Sequence, residues 1–373
     1  IPTPGVAALV SSMRCDVGVM ISASHNEYAD NGIKIFGPDG IKLSDKQELE
    51  IEKLIDKKNI RLVQSEDLGR AKRIDDAGGR YIEYLKSRIS SSLKLDGMKI
   101  VIDCANGAAY KVAPTILWEL GAKVFPINVD PDGTNVNKNS GSTNTKNIIS
   151  KVNEFNADIG IALDGDADRC IIIDEKGNTI NGDRILAIIS KYWVEKDKLN
   201  EKTVIGTIMS NQALEIYLKK EGLTFIRTDV GDKNIVEEMY KNKYILGGEP
   251  SGHIILGQYS TTGDGLLASL ELLNIMKEKN EKLSNLSCLF TPYPQLLENY
   301  SIKGNILPEE VLLNAKDSLN KLRKDLLDKC RLIIRKSGTE NKIRIMAESK
   351  NISYAKKAIS NSIQILKDSS HEK

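Results

Sequence analysis

Residues 159–174 read IGIALDGDADRCIIID, and this stretch decides the fold class. Two apolar runs, IGIAL at 159–163 and CIII at 170–173, flank an acidic loop. Both runs have the length of a strand and are too short for a typical helix, so the pattern predicts two buried β-strands. The acidic loop then lies at the end of a strand, where α/β domains place their ligands.

Strand-length apolar runs alternate with helix-period stretches on both sides of this loop. Further strands are predicted at 17–21, 98–104, 204–208 and 244–246. Helices are predicted at 45–57, 109–120, 184–194, 212–220, 234–241 and 266–279. This alternation is typical of α/β domains with parallel or mixed sheets. After Pro294 the order changes to a strand, a long helix over 308–325, two strands around 337–339 and a last helix, which predicts a smaller α+β domain.

Composition excludes several classes of protein. The chain has 373 residues, with 53 basic and 51 acidic side chains and a net charge of +2, whereas a dedicated nucleic-acid binder carries a basic stripe. No apolar run approaches the roughly 18 residues that span a bilayer. The five cysteines are odd in number and scattered, without a C-x-x-C pair, so we expect reduced thiols in a cytoplasmic protein.

The first loop with chemical potential is ISASHN, residues 21–26, directly after a predicted strand. Ser24 lies beside His25 and near Lys34, and these are the parts of an activated nucleophile. A polar turn without a chemical role stays open as the alternative. A Ser-His-Asp hydrolase is disfavoured, because neighbouring side chains of a continuing strand point apart and no G-x-S-x-G elbow is present.

The acidic loop itself, DGDADR at 164–169, is the second. Asp164, Asp166 and Asp168 can converge on one hard cation, and an all-carboxylate site suits Mg²⁺ or Ca²⁺ better than zinc. An EF-hand fails, because Arg169 occupies the sixth position, where the sharp turn needs glycine. We expect Mg²⁺, with a solvated acidic turn as the alternative.

Two more loops follow. In GGEPSGH, residues 247–253, the side chains of Glu249, Ser251 and His253 share one face of an extended backbone and could bind sugar hydroxyls. In RKSGTE, residues 335–340, basic side chains, hydroxyls and backbone N–H groups could form an anion cradle, although the loop is not a Walker A motif. A glycine-rich turn and a basic hairpin tip are the respective alternatives.

Together, ISASHN, DGDADR, GGEPSGH and RKSGTE resemble, in this order, the phosphoserine, metal, sugar and phosphate loops of the α-D-phosphohexomutase superfamily. RKSGTE, TTGDGL at 261–266 and VGD at 230–232 favour its glucosamine branch. The resemblance implies an isomerase that interconverts glucosamine 6-phosphate and glucosamine 1-phosphate through a phosphoserine and a 1,6-bisphosphate. The product would feed UDP-N-acetylglucosamine and cell-wall synthesis.

The resemblance also implies a role for each matching residue. One Mg²⁺ per chain would be held by three aspartates and the phosphorylated serine: Asp164, Asp166, Asp168 and Ser24. The catalytic set would be Ser24, Lys34 as a proton shuttle, Arg169 and His25. The sugar ring would be held by Glu249, Ser251 and His253. The phosphate that is not reacting would be held by Arg335, Ser337, Gly338 and Thr339.

The fold implied by the resemblance is three α/β domains with mixed sheets plus a smaller C-terminal α+β domain, around a central cleft. We expect boundaries at 1–77, 78–178, 179–293 and 294–373. Members usually begin with further residues that include a loop facing the active site, so we expect this chain, which starts at Ile1, to lack its N-terminal segment and to be poorly active and aggregation-prone. Glu27 and Asn341 stand where proline is usual.

Other activities remain open at the level of sequence. They are phosphomannomutase/phosphoglucomutase activity, a truncated non-catalytic phosphosugar-binding protein, and a Mg²⁺-dependent phosphatase with Asp164 as nucleophile. The expected partners are a phosphosugar, glucosamine 1,6-bisphosphate as intermediate and activator, and a priming phosphate donor for Ser24. No nucleic acid or membrane is expected, and a homodimer is left open.

Overall fold

A computed structural model of the chain describes residues 1–57, 62–302, 306–337 and 341–370. The chain forms two compact units. The first comprises Ile1–Ser210 and Leu218–Leu289, and the second comprises Asn211–Tyr217 and Phe290–Lys373. In the described ranges, no helix is both long and apolar enough to cross a membrane.

The first unit begins with a two-stranded antiparallel sheet between two helices. Its elements are α1 (Thr3–Ser12), β1 (Gly18–Ser22), β2 (Gly32–Phe36) and α2 (Asp45–Ile55). Ser22 pairs with Gly32, so the loop between the strands projects from one end of the pair. A capping box of Ser44 and Gln47 fixes the start of α2.

A five-stranded mixed sheet follows, in the order β4-β3-β5-β6-β7. Its elements are α3 (Ala77–Arg88), β3 (Lys99–Asp103), α4 (Val112–Glu119), β4 (Lys123–Ile127), α5 (Lys146–Phe155), β5 (Ile159–Leu163), β6 (Cys170–Asp174) and β7 (Thr179–Ile180). β3 runs parallel to β4 and β5, whereas β5 and β6 are antiparallel and buried along their whole length. The two strands predicted around the acidic loop are confirmed, and the loop closes the hairpin between them.

The third sheet has four strands in the order β11-β10-β8-β9. Its region contains α6 (Gly182–Glu195), β8 (Thr203–Thr207), α7 (Gln212–Lys220), β9 (Thr224–Thr228), α8 (Asp232–Asn242), β10 (Leu246–Gly248), β11 (Ile254–Leu256), α9 (Gly265–Lys279) and α10 (Leu283–Leu286). β10 and β11 form an antiparallel hairpin, so residues 249–253 again lie at a hairpin tip. α9 is buried from Gly265 to Met276, as a helix in the core of a layered domain must be.

The second unit is built on an antiparallel sheet in the order β12-β14-β13. Its elements are β12 (Gln295–Ser301), α11 (Pro308–Asn314), α12 (Lys316–Asp325), β13 (Arg331–Lys336), β14 (Lys342–Glu348) and α13 (Ile352–Ser369). The single helix predicted over 308–325 is two helices that meet at Ala315. Helical periodicity continues across the junction, because Val311, Ala315 and Leu319 are all buried in the same core.

Candidate active site

The acidic loop brings three carboxylates together. Asp164, Asp166 and Asp168 are buried, and ligand oxygens from all three lie within 4.8 Å of one another. The Ala167 N–H donates to Asp164 O at 3.0 Å and closes a tight turn, in which Ala167 has a left-handed φ of 58°. This turn brings the three aspartate side chains closer together than an extended strand would.

Each carboxylate has one oxygen bound by a protein donor and one oxygen left over. The Arg169 N–H donates to Asp164 Oδ1 at 3.1 Å, and Lys34 Nζ donates to Asp166 Oδ2 at 2.5 Å and to Asp168 Oδ2 at 2.8 Å. In the described part of the chain, the buried atoms Asp164 Oδ2, Asp166 Oδ1 and Asp168 Oδ1 have no hydrogen bond. One such oxygen from each of three carboxylates fits a hard divalent cation such as Mg²⁺.

Burial and mutual repulsion govern the charge of this cluster. Burial raises the pKa of Asp164 well above its ordinary value, and Asp168 and Asp166 raise it further. Burial alone would also raise the pKa of Asp168, but His253, Lys34 and Arg169 hold it well below its usual range. Basic neighbours thus stabilise the charged form of Asp168, whereas burial and the neighbouring carboxylates favour the protonated form of Asp164 in the absence of a cation.

Lys34 and Arg169 are the basic groups at the cluster. Burial by itself would lower the pKa of Lys34, but Asp168 and Asp166 raise it above its ordinary value, so the side chain is protonated. The guanidinium Nε of Arg169 lies 3.9 Å from Asp168 Oδ1. Both side chains lie where negative charge is concentrated, and they can offset charge on a phosphoryl group brought to the loop.

Thr3 is a contact of the acidic loop that sequence reasoning missed. Its hydroxyl donates to Asp166 Oδ2 at 2.5 Å, and its backbone N–H donates to Asp166 O at 3.0 Å. Thr3 is the first residue of α1, and the positive end of a helix dipole favours a carboxylate there. The signal in the sequence is Thr3-Pro4, because proline in the first turn is typical of a helix start.

Ser24 lies in the loop between β1 and β2, with a left-handed φ of 52°. Its Oγ is 3.4 Å from His25 Nδ1. The two side chains were expected to point apart only along a continuing strand, and this condition is not met, because β1 ends at Ser22 and the chain turns at Ser24. Burial, followed by Arg169, lowers the pKa of His25 below its ordinary value, so its ring is mainly neutral at pH 7.

The loop at 249–253 carries the three side chains predicted to bind sugar hydroxyls. Its backbone turns at Gly252, with φ 92°, and does not stay extended. Ser251 Oγ donates to Glu249 Oε2 at 3.1 Å, and the Gly231 N–H donates to Glu249 Oε1 at 3.2 Å. His253 is buried between two aspartates: its Nδ1 is 3.5 Å from Asp168 Oδ1, and its Nε2 is 3.8 Å from Asp232 Oδ2. The binding of sugar hydroxyls by these residues stays a prediction.

Asp232, at the start of α8, is a second residue that sequence reasoning missed. It pairs with Lys42 and faces His253. Burial would raise the pKa of Asp232, but His253 and Lys42 lower it to about 2. The buried imidazole therefore lies between two negative groups.

The fourth loop lies in the second unit. Arg335 on β13 lies opposite Arg344 on β14 in the strand register. The Ser337 N–H donates to Lys342 O at 2.8 Å, so the two arginines lie near the end of this hairpin. The buried Ser337 Oγ has no hydrogen-bond partner among the described residues. Gly338 and Thr339 lie outside the described residues. Lys336, which the sequence placed in the cradle, pairs with Glu309 at 2.7 Å.

Four domain models of one family match the chain. They are phosphoglucomutase/phosphomannomutase α/β/α domains I (residues 1–61), II (79–177) and III (181–293), and the C-terminal domain (298–361). These matches confirm the predicted fold class of three α/β domains and a smaller C-terminal domain. The four boundaries given above stay predictions.

Sequence relatives carry a more specific name. Phosphoglucosamine mutase of Methylorubrum extorquens (strain PA1) is 52% identical over 353 residues, which cover 93% of this chain and 78% of that protein. Phosphoglucosamine mutase of Rhizobium leguminosarum bv. trifolii is 51% identical over 349 residues, covering 93% and 77%.

Solved structures share the fold at low identity. A phosphoglucomutase/phosphomannomutase family protein from Burkholderia thailandensis matches with a TM-score of 0.78 at 20% identity, covering 100% of this chain and 82% of that one. Aspergillus fumigatus N-acetylphosphoglucosamine mutase, solved with GlcNAc-6P and magnesium, matches with a TM-score of 0.71 at 18% identity, covering 99% and 92%.

Proposed function

The chain belongs to the phosphoglucomutase/phosphomannomutase family, and from this premise we propose that it is an isomerase that interconverts glucosamine 6-phosphate and glucosamine 1-phosphate. Relatives about half identical to it bear the name of that activity, which does not favour a preference for mannose or glucose phosphates. The observation that carries the chemistry is the cluster of three buried aspartates. Each has one oxygen that makes no hydrogen bond within the described part of the chain, and Asp166 and Asp168 also bind the protonated Lys34. A phosphosugar-binding protein without catalysis would not require this cluster.

In the proposed reaction, phosphorylated Ser24 donates its phosphoryl group to the free hydroxyl of the sugar phosphate. The hydroxyl oxygen forms a bond to phosphorus while the bond from phosphorus to Ser24 Oγ breaks. The hydroxyl loses a proton, Ser24 Oγ gains one, and Lys34 is the group proposed to relay it. The 1,6-bisphosphate then turns over in the site and returns its other phosphate to Ser24.

Charge neutralisation is the main task of the residues around Ser24. A bound divalent cation, one Mg²⁺ per chain held by Asp164, Asp166 and Asp168, would neutralise charge on the transferring phosphoryl group. Lys34 and Arg169 act on the same charge, because both lie at the acidic loop. His25, next to Ser24, belongs to the proposed catalytic set, as a mainly neutral ring that can accept or donate a hydrogen bond.

The remaining predicted residues are assigned to substrate recognition. Glu249 and Ser251 offer a carboxylate and a hydroxyl side by side, which suits sugar hydroxyls or an amino group. His253 is proposed to support the sugar-binding loop through its contact with Asp168. Arg335, Ser337, Gly338 and Thr339 are proposed to bind the phosphate that is not reacting, since Arg335 and Arg344 concentrate positive charge at that hairpin.

Several parts of the proposal concern the setting of the enzyme. They are glucosamine 1,6-bisphosphate as intermediate and activator, a separate donor that first phosphorylates Ser24, domains at 1–77, 78–178, 179–293 and 294–373, and a cytoplasmic location. The scattered cysteines, none of which forms a disulfide among the described residues, support a reducing compartment.

The test is a substrate comparison. The protein, with Mg²⁺ and a catalytic amount of glucosamine 1,6-bisphosphate, is given glucosamine 6-phosphate, glucose 6-phosphate or mannose 6-phosphate, and the 1-phosphates are quantified. The highest kcat/KM is expected for the amino sugar. A higher kcat/KM for a neutral sugar would refute the substrate assignment, and no turnover of any of them by protein that carries phosphate on Ser24 would refute the reaction.

A further inference from the structure

Asn137 lies outside every motif described above, yet it contacts the loop that carries Ser24. It belongs to the connection between β4 and α5, its side chain is 5% exposed, and its backbone is left-handed with φ 58°. Its Nδ2 donates to Ser24 O at 2.8 Å and to Asn26 O at 2.6 Å. Because both partners are carbonyl oxygens, only the amide nitrogen can make these bonds.

The main chain at Asn137 is itself held by the five-stranded sheet. Its N–H donates to Ala105 O at 2.9 Å. Ala105 is fixed in turn by the fully buried Asp103, the last residue of β3, whose Oδ1 accepts from the Ala105 N–H at 2.9 Å and whose Oδ2 accepts from the Gly141 N–H at 2.9 Å. The amide of Asn137 is therefore anchored to the end of a buried strand.

Gly165 of the acidic loop packs against the same two groups. A Cβ atom at this position would lie 2.7 Å from Asn137 Nδ2 and 2.8 Å from Ser24 O, which are distances that real side chains do not tolerate. The absence of a side chain between Asp164 and Asp166 thus lets the acidic loop touch the Ser24 loop directly. The three segments form one packed junction.

Side-chain contacts join the strand pair that carries Ser24 to neighbouring segments at two places. Lys34 on β2 donates to Asp166 and Asp168 of the acidic loop. The hydrogen bonds from Asn137 act on the turn itself, at Ser24 O on one side and at Asn26 O on the other. The position of the turn therefore depends on Asn137, whereas Lys34 holds the strand that follows it.

We propose that Asn137 is a positioning residue, which holds the Ser24 loop against the acidic loop and so sets the distance from the serine hydroxyl to the carboxylate cluster. The inference rests on the proposed function and deepens it. A displacement of about 1 Å at a reacting group can cost about a hundredfold in rate. Loss of the clamp should therefore lower kcat and leave the binding of the sugar phosphate nearly unchanged.

Two variants separate this role from a general contribution to folding. Asn137→Asp keeps the size of the side chain and its tolerance of left-handed backbone, but it places a carboxylate oxygen against two carbonyl oxygens. Asn137→Gly keeps the backbone conformation and removes the amide. Asn135→Asp is the matched control: it makes the same chemical change two residues away, where Nδ2 donates to Asp130 O at 2.9 Å, outside the Ser24 loop.

For both Asn137 variants we expect kcat to fall about a hundredfold, KM for glucosamine 6-phosphate to change less than about threefold, and backbone amides of residues 18–32 to exchange hydrogen faster. The Asn135→Asp control should match the parent in all three. Unchanged kcat in both Asn137 variants would overturn the proposal. Faster exchange spread over the whole unit would also overturn it, because the role would then be structural.

The exchange measurement keeps the inference independent of the substrate assignment. If the parent turns over no hexose phosphate, the proposed function fails, but exchange at residues 18–32 still tests the clamp. Faster exchange there in Asn137→Asp than in Asn135→Asp would support it, and equal exchange would overturn it.

Discussion

Replacing Asp166 with asparagine tests whether the acidic loop binds a metal. Its ligand atom and those of Asp164 and Asp168 lie within 4.8 Å of one another, and at an effective dielectric constant of about 20 two unit charges at that distance repel by about 3.5 kcal/mol. The substitution removes this repulsion from Asp168 and only part of it from Asp164, because burial raises the pKa of Asp164 well above its ordinary value. It also removes an attraction to Lys34 Nζ at 2.5 Å of about 7 kcal/mol on the same scale. Because the lost attraction exceeds the relieved repulsion, we expect the metal-free variant to melt below the parent.

The response to metal should differ between the two proteins. A cation that binds only the folded state stabilises it by about 2.7 kcal/mol at a hundred times its Kd, which raises Tm by several degrees. Loss of even an outer hydrogen-bond partner of a metal ligand costs about 10- to 100-fold in affinity, and loss of a ligand should cost no less. The same rise in Tm should therefore need at least about tenfold more Mg²⁺ in Asp166→Asn.

Thermal unfolding across a Mg²⁺ titration measures this shift. Asp158→Asn is the matched control, because it removes one negative charge from an exposed position directly before β5. The control should titrate like the parent. If Asp166→Asn reaches its half-maximal rise in Tm at the parent's Mg²⁺ concentration, the acidic loop does not hold the cation.

Three further predictions concern other parts of the molecule. Ser24→Ala should abolish turnover with added bisphosphate and remove any phosphate from the intact mass. Its Tm should change little, because the Ser24 side chain is only half-buried. Near-normal turnover would contradict the phosphoserine mechanism. Arg335→Lys should raise KM more than it lowers kcat, because lysine cannot donate two parallel hydrogen bonds to a phosphate, and equal KM values would remove Arg335 from substrate binding. Burial raises the pKa of Asp264 from 3.8 to about 6, despite hydrogen bonds from the Leu267 N–H and the Tyr81 hydroxyl. Between these two pKa values the folded protein holds a proton that the unfolded chain releases. The Asp264 carboxyl therefore lowers the free energy of unfolding by about 3 kcal/mol above pH 6 relative to its value below pH 4. Asp264→Asn should lose less stability than the parent from pH 4 to 7.5, and parallel pH profiles of Tm would refute this.

The parts of the fold that sequence predicted correctly are those decided by local pattern. The strands around the acidic loop and the strand–loop–strand of the second unit follow from short apolar runs bounded by polar loops. The three aspartates lie in the turn between two antiparallel strands, and their close spacing in the sequence is the local part of their convergence.

Some missed elements did carry a local signal. α1 begins with proline in its first turn, and α5 has Ile148 and Val152 one helical turn apart on its buried side, yet neither helix was predicted. Both are short and lie beside loops rich in asparagine, serine or glycine, which obscured their period. The single helix expected over 308–325 shows the opposite error, because an unbroken period does not reveal a junction such as Ala315.

The contacts that organise the site could not be found in this way. Thr3 meets Asp166, Asn137 meets Ser24, and Asp232 meets His253. Thr3 is separated from Asp166 by 163 positions, and Asn137 from Ser24 by 113. Such pairs are selected by tertiary packing, and a single sequence holds no pattern that links them. The proximity of Ser24 to His25 depends in the same way on the left-handed turn at Ser24, which the sequence did not predict.

The carboxylate oxygens of the acidic loop fall into two groups, those bound by protein donors and those left for a cation. One oxygen of each aspartate is fixed by a donor of the protein: the Arg169 N–H at Asp164, Thr3 and Lys34 at Asp166, and Lys34 at Asp168. A donor bound to one oxygen restricts the rotation of the carboxylate, so the second oxygen stays near those of the neighbouring aspartates. Ordering these ligands then costs little when a cation arrives, which is the condition for tight binding by a preorganised site. Lys34 and a cation also bind different oxygens of Asp166 and Asp168, so the lysine need not leave for the metal to enter, and both positive charges can act on the same phosphoryl group.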